Sequence, residues 1–202
     1  MTIARSLARA AALTAAVAAP ALSHAASVSV NFDEFTSPPV TCCYSSTGIT
    51  GAVAYPAITV NGGSNGAVMN GIGWQNVQTS GDNLYGTLGG SIAFTFNQAS
   101  SGLVFDLING TSASSFTVTL YDQSGSVLDS TSPFLDSWTT AGGTDHLSFA
   151  DSGVYSVVIN GNADFAVDTI SFNTGVVPEP ATPALMVAAL GFMGLVARRR
   201  RH

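Results

Sequence analysis

Three carboxylates are the first candidates for chemistry. Asp33 and Glu34 follow the first apolar run of the chain, and Asp168 lies within the last. Hard oxygen donors of this kind hold calcium. In a sandwich whose terminal strands pair, the two ends come close enough for Asp33, Glu34 and Asp168 to share one ion that clamps the termini. The competing reading makes Asp33 and Glu34 loop acids and Asp168 a strand residue facing solvent. The aromatics Trp74, Tyr85 and Trp138, with Tyr44, are candidates for a platform on which sugar rings stack. Their alternative is core or loop packing, and exposure decides between the two. Hydrolysis requires a nucleophile with a base and an orienting group, or two carboxylates set apart by environment. Here Thr144-Asp145-His146 is isolated, there is no G-x-S-x-G elbow, and Glu34 is the only glutamate before Glu179. An enzyme is therefore not expected. Cys42 and Cys43 are adjacent, which leaves a vicinal disulfide, pairing between chains or free thiols, and no bridge between distant segments.

Charge narrows the partners. The six basic residues are Arg5, Arg9 and the run Arg198, Arg199, Arg200 and Arg201, so no Lys or Arg stands between Ala10 and Ala197. That interval holds all twelve acids and carries a formal charge of −12. A body without cations cannot neutralise phosphates, which excludes nucleic acid and anionic lipid and leaves metal cations and neutral sugars.

The two ends read as addresses. Arg5 and Arg9 precede an apolar Ala10–Ala19 stretch, a break at Pro20 and an A-x-A-like site at Ser23-His24-Ala25. This predicts a secretory signal peptide over residues 1–25; a retained anchor helix is the alternative, disfavoured by a short apolar core. At the other end, Ala181–Ala197 is uncharged and predicts a transmembrane helix near the lower length limit, with Arg198 to Arg201 kept cytoplasmic. The inner membrane is then a transient anchor, with the body outside the cytoplasm.

The elements that must position the candidate side chains are strands. Between Ser27 and Thr174, short runs rich in Val, Ile, Phe and Thr alternate with Gly, Asn, Ser and Asp clusters. Strands are predicted at 28–32, 57–60, 91–96, 103–108, 116–121, 127–130, 146–149, 154–160 and 165–172. Asp122-Gln123-Ser124-Gly125 is a hairpin turn, and Asn160-Gly161-Asn162 is a second turn signal. The segments 36–54 and 61–90 have no regular pattern and are predicted as surface loops. The fold class is all-β: an antiparallel β-sandwich of jelly-roll type over residues 26–175, flanked by the signal helix and the transmembrane helix of segment 176–202.

The order Pro178-Glu179-Pro180, apolar span, terminal Arg cluster resembles the PEP-CTERM sorting signal. The resemblance implies an exosortase-type processing enzyme as partner, which recognises Pro178, Glu179 and Pro180 in a Gram-negative exporter. It also implies a destination at the cell surface or in a biofilm matrix, in association with exopolysaccharide. More loosely, Asn31-Phe32-Asp33-Glu34-Phe35 and Phe165-Ala166-Val167-Asp168-Thr169-Ile170-Ser171-Phe172 resemble the opening and closing motifs of jelly-roll ectodomains that precede this signal. Related carbohydrate-binding modules carry a structural calcium near their joined termini, though Thr169 stands where a second Asp is usual. The expected function is non-catalytic binding at the cell surface. A small matrix-glycan hydrolase and a bulk matrix protein without a ligand are the alternatives.

Overall fold

The computed structural model describes residues 25–35, 51–71 and 79–175. Residues 1–24 of the expected signal peptide, Cys42, Cys43, Tyr44, Trp74, Pro178, Glu179, Pro180, the apolar stretch Ala181–Ala197 and the Arg cluster lie outside the described residues. Among the described residues no helix is long and apolar enough to cross a membrane.

The compact unit Ala26–Gly175 contains eleven strands. In chain order they are β1 Ser27–Val30, β2 Val53–Ala54, β3 Ile58–Asn61, β4 Ala67–Asn70, β5 Asn83–Thr87, β6 Gly90–Asn109, β7 Ser114–Tyr121, β8 Val127–Thr131, β9 Phe134–Leu135, β10 Thr144–Gly161 and β11 Phe165–Thr174. All described pairings are antiparallel. The main path runs β4-β5-β11-β6-β10-β7-β8, with β1 on β11, β3 on β6, β2 on β3 and β9 on β7.

This sheet folds back on itself because its two longest strands bend. Phe94 and Phe105 share β6, and eleven residues of straight strand would separate them by about 36 Å. Their ring centroids instead lie 5.2 Å apart, edge to face. The bend falls where β6 and β10 lose register, between Phe149 and Ser156, and where Gly102 and Gly153 take φ of 58° and 78°. Bulges and left-handed glycines turn a strand without breaking its ladder. Within the corner, the buried Ser100 hydroxyl donates to the Val154 carbonyl at 3.0 Å. The folded halves close on one apolar core, in which Phe96 meets Phe172 at 4.8 Å and Phe116 meets Phe165 at 5.3 Å.

Two expectations change. The pairs of strands predicted at 91–96 and 103–108, and at 146–149 and 154–160, are single bent strands; the polar residues between them mark corners rather than loops. The segment 61–90, expected as surface loop, holds β4 and β5, where Met69, Leu84 and Tyr85 are fully buried. Strands covered on both faces lack the alternation by which strands are recognised.

Candidate functional site

The predicted acids gather at the end where β1 meets β11, and Asp33 and Asp168 there grip one segment of the chain. The ladder ends at Val30 opposite Ile170. Just beyond it, Phe32 has φ of 62° and Thr169 has φ of 51°, the two left-handed non-glycine residues among those described. For a bulky and a β-branched side chain this conformation costs about 1–3 kcal/mol each. Each turns an adjacent carboxylate toward the same segment, 79–83. Asp168 Oδ2 accepts the Thr79 and Ser80 amides at 3.0 and 2.9 Å, together with the Thr79 hydroxyl at 3.1 Å. Its Oδ1 accepts the Ser80 hydroxyl at 3.0 Å and the Thr169 amide at 2.7 Å. Asp33 Oδ1 accepts the next two amides, those of Asp82 and Asn83, at 2.8 and 3.0 Å. Asn83 completes the latch by donating its side-chain amide to the Phe32 and Phe35 carbonyls. Gly81, with φ of 43°, is pressed against the Asp33 carboxylate, where a Cβ would collide.

Of the three acids expected to share calcium, Asp33 and Asp168 turn oxygens to N–H and O–H donors. Glu34 is exposed and lies beside Tyr55 instead. Among the described residues no three of His, Cys, Asp and Glu group closely enough to hold a metal ion. Burial pushes the Asp168 carboxyl above the usual carboxylate range, against the opposing pull of its amide donors. The Tyr55 hydroxyl is buried. Its ionisation is pushed far up, by burial first and then by Glu34 and Asp33.

A second constellation extends sideways from Asp168. In register, Asp168 on β11 faces Asp106 on β6, and Asp106 faces His146 on β10. Directly opposed residues of antiparallel strands share a face. His146 Nδ1 lies 2.7 Å from Asp106 Oδ1; the imidazole is 66% exposed and the carboxylate 8%. The sequence hid Asp106 inside the apolar run Leu103–Ile108, and an acid in such a run is the signal that could have found it. No serine or threonine completes a nucleophilic triad on His146 among the described residues, so Thr144-Asp145-His146 remains a strand segment.

The adjoining row on that face is apolar: Ala166 faces Ile108, and with Ala67, Met69 and Leu84 they form a buried cluster. Trp138 is half-buried against it. The loop that carries Trp138 is held by the fully buried Asn109, whose side-chain amide donates to the carbonyls of Ser112, Leu135 and Asp136. The Trp138 amide itself donates to the Gly110 carbonyl at 3.0 Å. Of the expected sugar platform, Trp138 thus keeps an accessible surface, whereas Tyr85 does not. Tyr85 is fully buried, its hydroxyl accepting the Gly62 amide at 2.7 Å and donating to the Gly51 carbonyl at 2.6 Å. It is a core pin, and no sugar can reach its ring.

Comparison with known proteins gives one sequence likeness and several structural ones. Residues 176–201 match the PEP-CTERM protein-sorting motif. No match to a curated protein was found. Among solved structures, the chain is similar to a DUF4465 family protein from Bacteroides caccae ATCC 43185, with 12% identity, 74% of this chain and 99% of that chain covered, and a TM-score of 0.48. It is similar to the K1 cleaved adhesin domain of Lys-gingipain from Porphyromonas gingivalis W83, with 9% identity, coverage of 74% and 99%, and a TM-score of 0.46. A family 6 carbohydrate-binding module aligns with 11% identity, coverage of 73% and 94%, and a TM-score of 0.38. The sorting motif implies export through a membrane-anchored signal, and the chain is similar to PEP-CTERM proteins over residues 176–201.

Proposed function

We propose that the body is a jelly-roll β-sandwich displayed at the cell surface or in the extracellular matrix of a Gram-negative bacterium, where it binds exopolysaccharide without catalysis. Exosortase-type processing at Pro178, Glu179 and Pro180 follows insertion of Ala181–Ala197 in the inner membrane, with Arg198 to Arg201 inside. The observation that carries the binding reading is Trp138. It is a half-buried indole packed against a buried apolar cluster, in a body free of Lys and Arg. A sugar ring stacks on such a face through its C–H edges, and polar residues around it meet the hydroxyls. Neutral glycans suit this surface best, since its acids repel anionic ones.

The test is a binding screen of the exported protein against neutral and acidic exopolysaccharides, with Trp138→Ala and Trp74→Ala as variants. Loss of binding in Trp138→Ala with an unchanged melting temperature supports the reading. Equal binding by both variants, or none by the wild type, removes it and leaves a bulk matrix role. The hydrolase reading has one observation in its favour, the His146–Asp106 pair. Among the described residues no nucleophile meets that pair, and both buried carboxylates of the row are already engaged by protein groups. Release of reducing sugar from a bound glycan by the wild type but not by His146→Gln would restore it.

A further inference from the structure

Trp138 does not stand alone on its face of the sheet. Its amide donates to the Gly110 carbonyl, and Gly143 lies so close that a Cβ there would collide with the Trp138 backbone. The indole is thereby placed where β6 ends and β10 begins. Thr144, next after Gly143, faces Ile108 of the cluster on which the indole packs. Two residues further along β10 stands His146, opposite Asp106, which lies two residues before Ile108 on β6. Residues two apart on a strand share a face. The imidazole therefore occupies the row next to that of Ile108, about 7 Å along β10 from Thr144.

A sugar ring stacked on the indole needs polar groups at its rim. The hydroxyls of the Trp138 loop are turned on the loop itself: those of Ser137 and Thr139 meet at 3.1 Å, and that of Thr140 donates to the Ser137 carbonyl at 2.9 Å. In the row beside the indole, Asp106 and Asp168 are buried and engaged by protein groups. His146 differs from all of these, because its ring is anchored on one side and open on the other. Nδ1 lies 2.7 Å from Asp106 Oδ1, and the imidazole is 66% exposed where the carboxylate is 8% exposed. A carboxylate oxygen accepts, so Nδ1 supplies the shared hydrogen and Nε2 keeps its lone pair for a ligand. A ring already held by a buried anchor also loses less freedom on binding than a loose side chain does.

We propose that His146 is the specificity-determining partner of Trp138: its Nε2 accepts a hydrogen bond from a free hydroxyl of the neutral sugar ring stacked on the indole, and Asp106 is the positioning residue that holds the imidazole for it. This role rests on the stacking of a sugar on Trp138. It narrows the ligand to neutral glycans whose stacked ring carries free hydroxyls. An O-acetylated ring offers no hydrogen at the substituted position, and an acceptor that loses its donor loses the bond.

The test measures affinity of the full chain, in a detergent without a sugar headgroup, for a soluble neutral glucan and a neutral galactan, each also in partly O-acetylated form. It is run at about pH 8, above the ordinary imidazole range. His146→Phe keeps a ring without an acceptor and should bind roughly threefold to tenfold more weakly, the range given by one net hydrogen bond. O-acetylation should weaken the wild type by more than it weakens His146→Phe. Asp106→Asn retains an oxygen for Nδ1 and should bind as the wild type does, whereas Asp106→Leu, with the same bulk and no acceptor, should bind as weakly as His146→Phe. Loss of binding in Trp138→Ala with His146→Phe unchanged overturns the proposal and leaves the stacking role of Trp138 intact. Equal losses on O-acetylation in the wild type and His146→Phe overturn it too. Wild-type binding to neither glycan, or binding by Trp138→Ala equal to the wild type, removes the stacking role and the proposal together. Should the variants not fold, the His146 ring protons are followed by NMR in the wild type as glycan is added. They must shift with binding, and a stationary signal overturns the proposal.

Discussion

Asp122 and Asp168 are both carboxylates that accept several hydrogen bonds from serine and backbone donors, yet they behave oppositely. Asp122 Oδ1 accepts the Ser124 amide and hydroxyl and the Ser126 amide at 2.8, 2.7 and 2.9 Å, all within four residues of itself. Asp168 takes four of its five hydrogen bonds from Thr79 and Ser80, 89 and 88 residues away, and the fifth from the adjacent Thr169 amide. The hairpin acid is exposed, and its pKa is lowered by the Ser124 hydroxyl and then the Ser126 amide. The latch acid is buried, and its pKa is raised because desolvation outweighs its donors. The number of hydrogen bonds does not decide the sign of the shift; access to water does.

The difference fixes two pH dependences. The raised pKa of Asp168 means that its stabilising share is complete below the unfolded-state value and is lost as pH rises through the folded-state value. The lowered pKa of Asp122 means that its share is present above the unfolded-state value and is lost as pH falls through the folded one. Asp168→Asn should therefore flatten the fall of stability on the alkaline side of the acidic range, and Asp122→Asn the fall on its acid side. Identical pH–stability curves for the two variants would erase the contrast.

Substitutions sharpen it further. The largest loss is expected for Asp168→Ala, which leaves the Thr79 and Ser80 donors unmet beside two strained residues. About 3 kcal/mol by denaturant unfolding is expected, and a loss below about 1 kcal/mol would show that segment 79–83 is held by something else. Asn109→Ala comes next at about 2 kcal/mol, since three carbonyls lose one donor group; its indole fluorescence should also change as the Trp138 loop loosens. Tyr85→Phe removes only the hydroxyl that joins Gly62 to Gly51 and should cost about 1 kcal/mol. Asp122→Ala should give the smallest shift in melting temperature, because its donors return to water.

These contrasts follow how legible each part was in the sequence. The Asp122 turn was readable because its donors lie within four residues, and type and spacing alone specify an Asx turn. The strands 116–121 and 165–172 were readable because one buried face imposes alternation. β4 and β5 were not, since Ala67–Asn70 and Asn83–Thr87 are covered on both sides and run through glycine. The acids Asp33 and Asp168 were brought to one end of the fold without a sign of which protein groups they meet. Nothing local to either residue reveals that amides some fifty to ninety positions distant would occupy its oxygens. Tyr85 was misplaced for the same reason, and Asp106 was overlooked because its neighbours in sequence are all apolar.

What the sequence determined by itself is whatever depends on composition and nearest neighbours: an all-β body, its cation-free surface, and a terminal sorting signal whose motif, apolar span and arginines are contiguous. What only the tertiary structure decided is which buried polar groups meet. The bend of β6 and β10 and the register of β11 bring Asp168, Asp106 and His146 into one row and turn two carboxylates onto segment 79–83. A buried charge is tolerated only where distant donors converge on it, and that convergence is a property of the closed sheet.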